Sequence, residues 1–469
     1  MNRKIYVAIF FIAFLLRMVF CIPVFMDSEK AKGPGSDAKN YIVLAKNILI
    51  KHQFSVYEGE TGYRETARTP GYPLFIGFSF LLSGAREWSI LLLQMILDSL
   101  ISVFIFFSVL VLFKNISAAF FAGVIYSIHP HQLLYTTQIL SEILFTFLLF
   151  TSIIFLLFFL NNERKSVLAL SGVSLGMATL TRPISFYFFI PVLFILFLFL
   201  KKRAKKIFVY GPLFLLSFFL ILTPWYIRNY LTFKSVFLST IGNWNIGYYN
   251  AGFVVASKEN INLQDAQVKI ESEIKERYDI SDEVYAYASD DPEICKKISS
   301  YGFGVIRRNP GRYLLLHSAG VIHFFLPSEY ASLYKVFSSA GLESAKSARA
   351  IGKDILVGSI KGRILSSFSK FINERLAKFP VWFSVVWVAI SAFQLLIYFF
   401  AVIGLRHFWK QRRILFFLFL ITILYFAVLP GPVGDPRFRV PVEPIFAFIA
   451  GVGMWVVKAK MGQRAARCN

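Results

Sequence analysis

Acidic charge and cysteine are scarce in this chain. Its 469 residues hold 27 acidic side chains against 50 basic ones, and three cysteines. Cys21, Cys295 and Cys468 are too scattered for a zinc spacing or a disulfide framework. Charged residues make up 16%, against roughly 25% in soluble domains, while 56% are hydrophobic and 53 are Phe. That balance excludes a string of soluble domains. Also missing are a Gly-rich nucleotide loop, a Walker sequence and a Ser-His-Asp order. A water-soluble nucleotide-sugar would therefore find no phosphate-cradling domain. No internal repeat is visible.

What is present is a succession of apolar runs, most long enough to cross a hydrocarbon core of roughly 30 Å. They fall at about 5–25, 89–113, 116–134, 138–160, 166–181, 184–200, 207–226, 381–405, 414–430 and 440–457. The fold class is mainly α, a polytopic helical membrane protein with about ten transmembrane helices. The first run has no small-x-small cleavage site and reads as an uncleaved anchor.

The net charge of +23 could suggest nucleic acid, but its distribution argues against that partner. The cations sit in short clusters between apolar runs. They are Lys114; Arg164 and Lys165; Lys201 to Lys206; Arg406 to Arg413; and Lys458 to Arg467. With the N-terminus inside, every cluster lands on the cytoplasmic side, as the positive-inside rule requires. Both termini are then cytoplasmic. The expected organisation is an N-terminal transmembrane module (1–227) with a first external loop (27–88), a largely helical non-cytoplasmic soluble region (228–380) and a C-terminal transmembrane module (381–469).

Within the external regions, Gly71–Leu82 is apolar but too short to span, and reads as interfacial or re-entrant. Asn262–Tyr278 reads as a charged helix. Asp291-Pro292 opens another that stops near Asn309-Pro310-Gly311. Tyr313–Phe325 reads as an interfacial helix, and Ser338–Ser369, rich in Ser, Gly, Ala and Lys, as a mobile linker.

The first loop puts Asp37 beside the bilayer, where one carboxylate could accept a proton from a hydroxyl or amine. Local sequence alone favours the plainer reading, in which Ser36 or Asp37 is the N-cap of a helix over 38–50. In Arg68-Thr69-Pro70-Gly71-Tyr72-Pro73, two prolines flanking Gly-Tyr preclude a regular helix and imply irregular backbone at the membrane surface, with Arg68 offering a forked donor suited to phosphate. The alternative is a rigid turn with a snorkelling arginine. Arg182, Arg228, Arg437 and Arg439 also sit at external ends of spans, against the positive-inside trend. Together they suggest an anion site, and local pairing with Asp435 or Glu443 is the competing account. Asp98 lies deep in its span and calls for a structural hydrogen bond. Glu142 lies near the external end of its own span. His129 and His131 lack an evident third metal ligand.

These residues fall into a pattern. Ser36-Asp37-Ala38 with Tyr41, Arg68 to Leu74, Ser141-Glu142, Gly176-Met177-Ala178 with Leu180 to Pro183, Pro224-Trp225 with Arg228-Asn229, and Arg437 to Pro441 with Pro444 occur in that order. The chain resembles the GT-C membrane glycosyltransferases, in the family 39-like branch related to dolichyl-phosphate-mannose–protein mannosyltransferases and the lipid A aminoarabinose transferase. The resemblance implies GT-C architecture and inverting transfer of a sugar from a polyprenyl-phosphate donor, at the external face, to a lipid, glycan or protein acceptor. It implies Asp37 as the catalytic residue, with Arg68, Arg182, Arg228, Arg437 and Arg439 as the donor-phosphate set. Tyr41, Tyr72 and Glu142 are candidates for acceptor or sugar contacts. Relatives have Asp-Glu where this chain has Asp37-Ala38, so a divalent metal stays open and no cofactor is assigned. The expected partners are the lipid-linked sugar and membrane lipids, and the expected location is a bacterial inner membrane. A lipid or solute transporter or flippase is the competing class.

Overall fold

The computed structural model describes residues 3–32, 37–57, 63–326, 336–337 and 381–468. The expected linker Ser338–Ser369 and residues 33–36 of the first loop lie outside the described residues. Every regular element among the described residues is helical. The first half contains α1 (Arg3–Met26), α2 (Asp37–Lys51), α3 (Gly71–Ser83), α4 (Glu87–Phe113), α5 (Ile116–Ser127), α6 (Pro130–Thr136), α7 (Glu142–Asn162), α8 (Lys165–Thr181), α9 (Phe189–Leu200) and α10 (Ile207–Phe233). There follow α11 (Ile241–Trp244), α12 (Ala251–Glu259), α13 (Leu263–Tyr278), α14 (Asp282–Tyr285), α15 (Pro292–Arg308) and α16 (Pro310–Phe325). The chain closes with α17 (Val381–Gln411), α18 (Arg413–Val428) and α19 (Glu443–Cys468).

Among the described residues, six stretches are long and apolar enough to cross a membrane: Lys4–Met26, Glu87–Phe113, Glu142–Asn162, Pro183–Phe233, Val381–Gln411 and Pro436–Gln463. Gly71–Ser83, Ile116–Ser127, Lys165–Thr181 and Arg413–Val428 are shorter apolar helices. Two expected spans, 184–200 and 207–226, share the stretch Pro183–Phe233, interrupted by a tight turn of helix at Lys201–Lys206. The run 116–134 is not one helix. Pro130 lacks an N–H and clashes with a helical predecessor, so α5 ends at Ser127, His129 is extended and α6 starts at Pro130.

The long helices are inverted relative to a soluble protein. On α1, Val7, Phe11, Leu15, Val19 and Ile22 are exposed, while Ile9, Ala13, Arg17, Cys21 and Val24 form the buried stripe. Arg17 and Asp98 of α4 are fully buried against each other, with Nε donating to Oδ2 at 2.6 Å. The Tyr126 hydroxyl donates to the other carboxylate oxygen at 2.5 Å. Charge inside and apolar side chains outside is the arrangement lipid demands, and a charge at such depth needs a partner. Helices then approach closely where side chains vanish. A Cβ on Gly404 of α17 would lie 2.2 Å from the Ile449 carbonyl of α19.

The helices of 241–325 bury their own apolar cluster, including Phe253, Ile270, Ile298 and Leu316. Their limits follow local chemistry. Asn262 caps α13 by accepting from the Asp265 N–H at 2.8 Å, and Asp291 caps α15 by accepting from Glu293 at 2.7 Å. Asn309-Pro310 then separates α15 from α16. These boundaries coincide with those expected from the sequence.

Candidate active site

Five helix ends converge on one place. Asp37 is the first residue of α2 and Glu142 the first of α7, with Ser141 as its cap. Arg182 directly follows α8, and Arg437 lies in the short 3-10 turn Pro436–Val442 that leads into α19. Arg68 precedes α3, whose first residue Gly71 abuts the end of α8 so closely that a Cβ would sit 2.7 Å from the Leu180 carbonyl. Contrary to the expectation that the two prolines preclude a regular helix, the backbone is irregular only up to Pro70, and a helix that includes Tyr72 and Pro73 starts at Gly71. Pro73 is tolerated there because the first-turn N–H groups have no intrahelical acceptor. Helix dipoles favour a carboxylate at an N-terminus and a cation at a C-terminus, and Asp37, Glu142 and Arg182 obey both.

The side chains form an alternating chain of charges. Glu65 Oε2 accepts from Arg68 Nη1 at 3.1 Å, and Arg68 Nη2 donates to Asp37 Oδ1 at 3.3 Å. Arg437 Nη1 donates to Asp37 Oδ2 at 3.2 Å, and its Nε donates to Glu142 Oε1. Arg182 Nη1 donates to the same Glu142 oxygen and to Ser141 Oγ at 3.2 Å. Three carboxylates thus alternate with three guanidiniums. Glu142 and Glu65 are 1% and 2% exposed, whereas Asp37 is 39% exposed. Among these three acids Asp37 is the one open to solvent.

Burial pushes the Asp37 carboxyl up, yet the guanidiniums of Arg437 and Arg68 outweigh it and hold it below the ordinary aspartate value. Burial pulls Arg68 down, but Glu65, Tyr41 and Asp37 together raise it. Behind this line the Arg68 guanidinium lies 5.7 Å from the Tyr41 ring centroid, and Tyr41 meets the edge of Tyr72 at 4.9 Å. The buried Tyr72 hydroxyl donates to Gln94 Oε1 at 2.6 Å. Tyr72 is thus engaged inward, while Tyr41 lies beside the charged chain.

Two of the five expected arginines lie elsewhere. Arg228 is boxed by the rings of Phe54, Trp225 and Phe233, and donates to the Glu65 carbonyl at 3.3 Å. It touches the back of the Arg68 loop without pairing with Asp37. Arg439 is 2% exposed and donates to Glu443 Oε1 at 2.5 Å, to the Phe324 carbonyl at 2.8 Å and to the Leu326 carbonyl at 3.0 Å. It ties the end of α16 to the start of α19. His129 and His131 close on the same Glu443, with nitrogens 3.1 and 3.3 Å from its oxygens. Among the described residues no group of three His, Cys, Asp or Glu is placed to hold a metal ion.

Glu65 was not singled out in the sequence, although its i,i+3 spacing to Arg68 was the available signal. Its Oε1 also accepts from the Ala67 and Arg68 N–H groups at 2.8 and 2.9 Å, shaping the turn that presents Arg68. The 241–325 cluster grips this turn from outside. Thr66 Oγ1 donates to the Ser289 carbonyl at 2.7 Å, the Tyr57 hydroxyl donates to Asp290 Oδ2 at 2.7 Å, and Tyr63 stacks on Tyr287 at 3.9 Å.

Residues 67–227 match the family model described as dolichyl-phosphate-mannose-protein mannosyltransferase. No curated protein matches the chain by sequence. Among solved structures, the archaeal oligosaccharyltransferase AglB from Archaeoglobus fulgidus, in complex with an inhibitory peptide and a dolichol-phosphate, aligns over 98% of this chain at 14% identity and a TM-score of 0.52. The alignment covers 51% of that protein, so the chain spans about half its length. ArnT from Cupriavidus metallidurans aligns in the apo state over 96% of this chain and 76% of its own, at 11% identity and a TM-score of 0.40. Bound to undecaprenyl phosphate, ArnT aligns over 94% and 78%, at 11% identity and a TM-score of 0.42. The AglB alignment shows a shared fold.

Proposed function

We propose that this chain, a GT-C family membrane protein related to the mannosyltransferases, is an inverting glycosyltransferase that takes its sugar from a polyprenyl-phosphate donor. The observation that carries this reading is the open Asp37 carboxylate suspended between Arg68 and Arg437, with Arg182 one step further along. A lipid-linked donor would leave its tail among the helices and bring its phosphate to the charged end. The fold neighbour AglB was solved with dolichol-phosphate, which supports that class of donor.

Among the described residues Arg182 donates only from Nη1, and Arg437 Nη2 has no partner. Those remaining donors suit a phosphate that gains negative charge as its bond to the anomeric carbon breaks. Asp37, held ionised, accepts a hydrogen bond from the acceptor hydroxyl and directs its lone pair at the anomeric carbon from the face opposite the phosphate. The electron pair of the breaking C–O bond goes to the phosphate, and the hydroxyl proton goes to the carboxylate. Most of the catalytic effect comes from positioning and fixed charge.

The acceptor is a lipid, a glycan or a protein, and the reaction face is the external face of a bacterial inner membrane. In this reading 1–227 and 381–469 are the membrane modules, and 228–380 is a unit outside the membrane. A transporter is disfavoured because the deep charges Arg17 and Asp98 neutralise each other and are closed by Tyr126. The test uses purified protein with labelled polyprenyl-phosphate sugars and membrane extract as acceptor. Transfer should occur with the full chain and fall by roughly 10²-fold or more in Asp37→Asn. Full transfer by that variant would remove Asp37 from its role.

A further inference from the structure

We infer that the guanidinium of Arg437 stands where a divalent cation would have to sit, so that this site works without a metal ion. The inference rests on the function proposed above and concerns how its charges are balanced. Asp37 and Glu142 arrive on separate helix N-termini, and each turns an oxygen to the same side chain, Oδ2 to Nη1 at 3.2 Å and Oε1 to Nε. Two carboxylates brought this near repel each other unless a cation separates them. Here the cation is part of the chain, planar, forked and ionised at every working pH.

The donor set does not fit a metal held in addition. Magnesium or calcium takes about six or more oxygens at roughly 2.0–2.6 Å, and the third carboxylate nearby is already used. Both oxygens of Glu65 accept from the turn it shapes, from the Ala67 and Arg68 N–H groups and from Arg68 Nη1. Among the described residues no group of three His, Cys, Asp or Glu is placed to hold a metal ion. Charge gives the same answer. Glu65, Asp37 and Glu142 are matched by Arg68, Arg437 and Arg182, so a further divalent ion would enter a place already neutral. The arrangement also gives Arg437 two tasks, holding the two acids apart and turning its free Nη2 to an incoming anion.

The experiment measures metal binding apart from transfer. Full-length protein in detergent is stripped with chelator and titrated with Mn²⁺ while the free-ion paramagnetic resonance signal is followed. The wild type should leave that signal undiminished. Arg437→Ala, which leaves Asp37 and Glu142 facing across a vacated gap, should take up one equivalent, and Arg437→Ala with Glu142→Gln should lose it. Wild-type protein that binds one equivalent, with loss in Glu142→Gln, overturns the inference, and so does a folded Arg437→Ala that binds none. If the variants fail to fold, wild-type protein that leaves the signal undiminished upholds the inference and wild-type protein that takes up one equivalent overturns it. Chelator should likewise leave transfer unchanged. If no donor gives transfer at all, the proposed function falls, and the manganese titration still decides the metal question.

Discussion

Asp290 is a buried carboxylate outside the charged chain, and it shows how one residue ties the site to pH. It is 6% exposed, and its Oδ2 accepts from the Tyr57 hydroxyl at 2.7 Å. Burial pushes it up to about 6; the Tyr57 bond opposes this, and the nearby Glu65 adds to it. Between about pH 4 and 6 the folded state therefore holds a proton that the unfolded chain, at the ordinary aspartate value of 3.8, has lost. Stability falls as pH rises from about 4 to 6 and stays lower above that range, by about 2 to 3 kcal/mol. Protection factors in residues 63–68, taken relative to the intrinsic exchange rate at each pH, should be larger at pH 5 than at pH 8, and Asp290→Asn should flatten the difference. Equal protection factors at both pH values in the wild type would contradict the assignment. At this scale the sequence revealed which residues oppose the positive-inside trend but not which way they point. Arg437 and Arg439 lie two apart in a turn with three residues per repeat, so one meets Asp37 while the other turns to Glu443. Hydropathy carries no such azimuth, and for the same reason the ring box around Arg228 was illegible.

The element that seats Arg437 is α16. A Cβ on Gly434 would fall 2.0 Å from the Gly320 carbonyl, and His323 Nδ1 donates to the Gly434 carbonyl at 2.5 Å. Helix and loop touch backbone to backbone, so an added methyl forces them apart. Gly434→Ala should lower stability by about 1 to 3 kcal/mol and weaken transfer by shifting the turn that carries Arg437. Gly311, in the first turn of the same helix, has nothing within 4 Å of a built Cβ. Gly311→Ala should be neutral or stabilising by up to about 1 kcal/mol. Thermal melts of both variants check the pair, and equal melting temperatures would refute the contact argument. Helix limits were legible where proline or a side-chain cap sets them, as at Asn262, Asp291 and Asn309. They were lost where averaged hydropathy ran across a local break, as at Pro130, because apolar content persists through the kink.

Across the whole molecule, the charged chain and the basic loops occupy opposite helix ends. α7 starts at Glu142 in the site and ends beside Glu163, which pairs with Arg203 and with Lys206 at 2.7 Å. At that end too, Arg412 Nη2 donates to the Leu112 carbonyl near the end of α4. α8 runs back and delivers Arg182 to the site, and α19 leaves it from Glu443. This polarity was legible in the sequence because lipid sorts charge by side. The packing of 241–325 on the first loop was not, because its contacts at Thr66, Thr240 and Ser289 are single polar atoms without a period. If cations mark the cytoplasmic face, Lys202 is inside and Lys269 outside, and both are exposed. Cys21 and Cys295 are buried, so in a Cys468→Ser background single cysteines report position. Membrane-impermeant maleimide added to intact cells should label Lys269→Cys and spare Lys202→Cys until the membrane is opened. The reverse pattern would put Asp37 on the cytoplasmic side, where an acceptor on the external surface could not reach it.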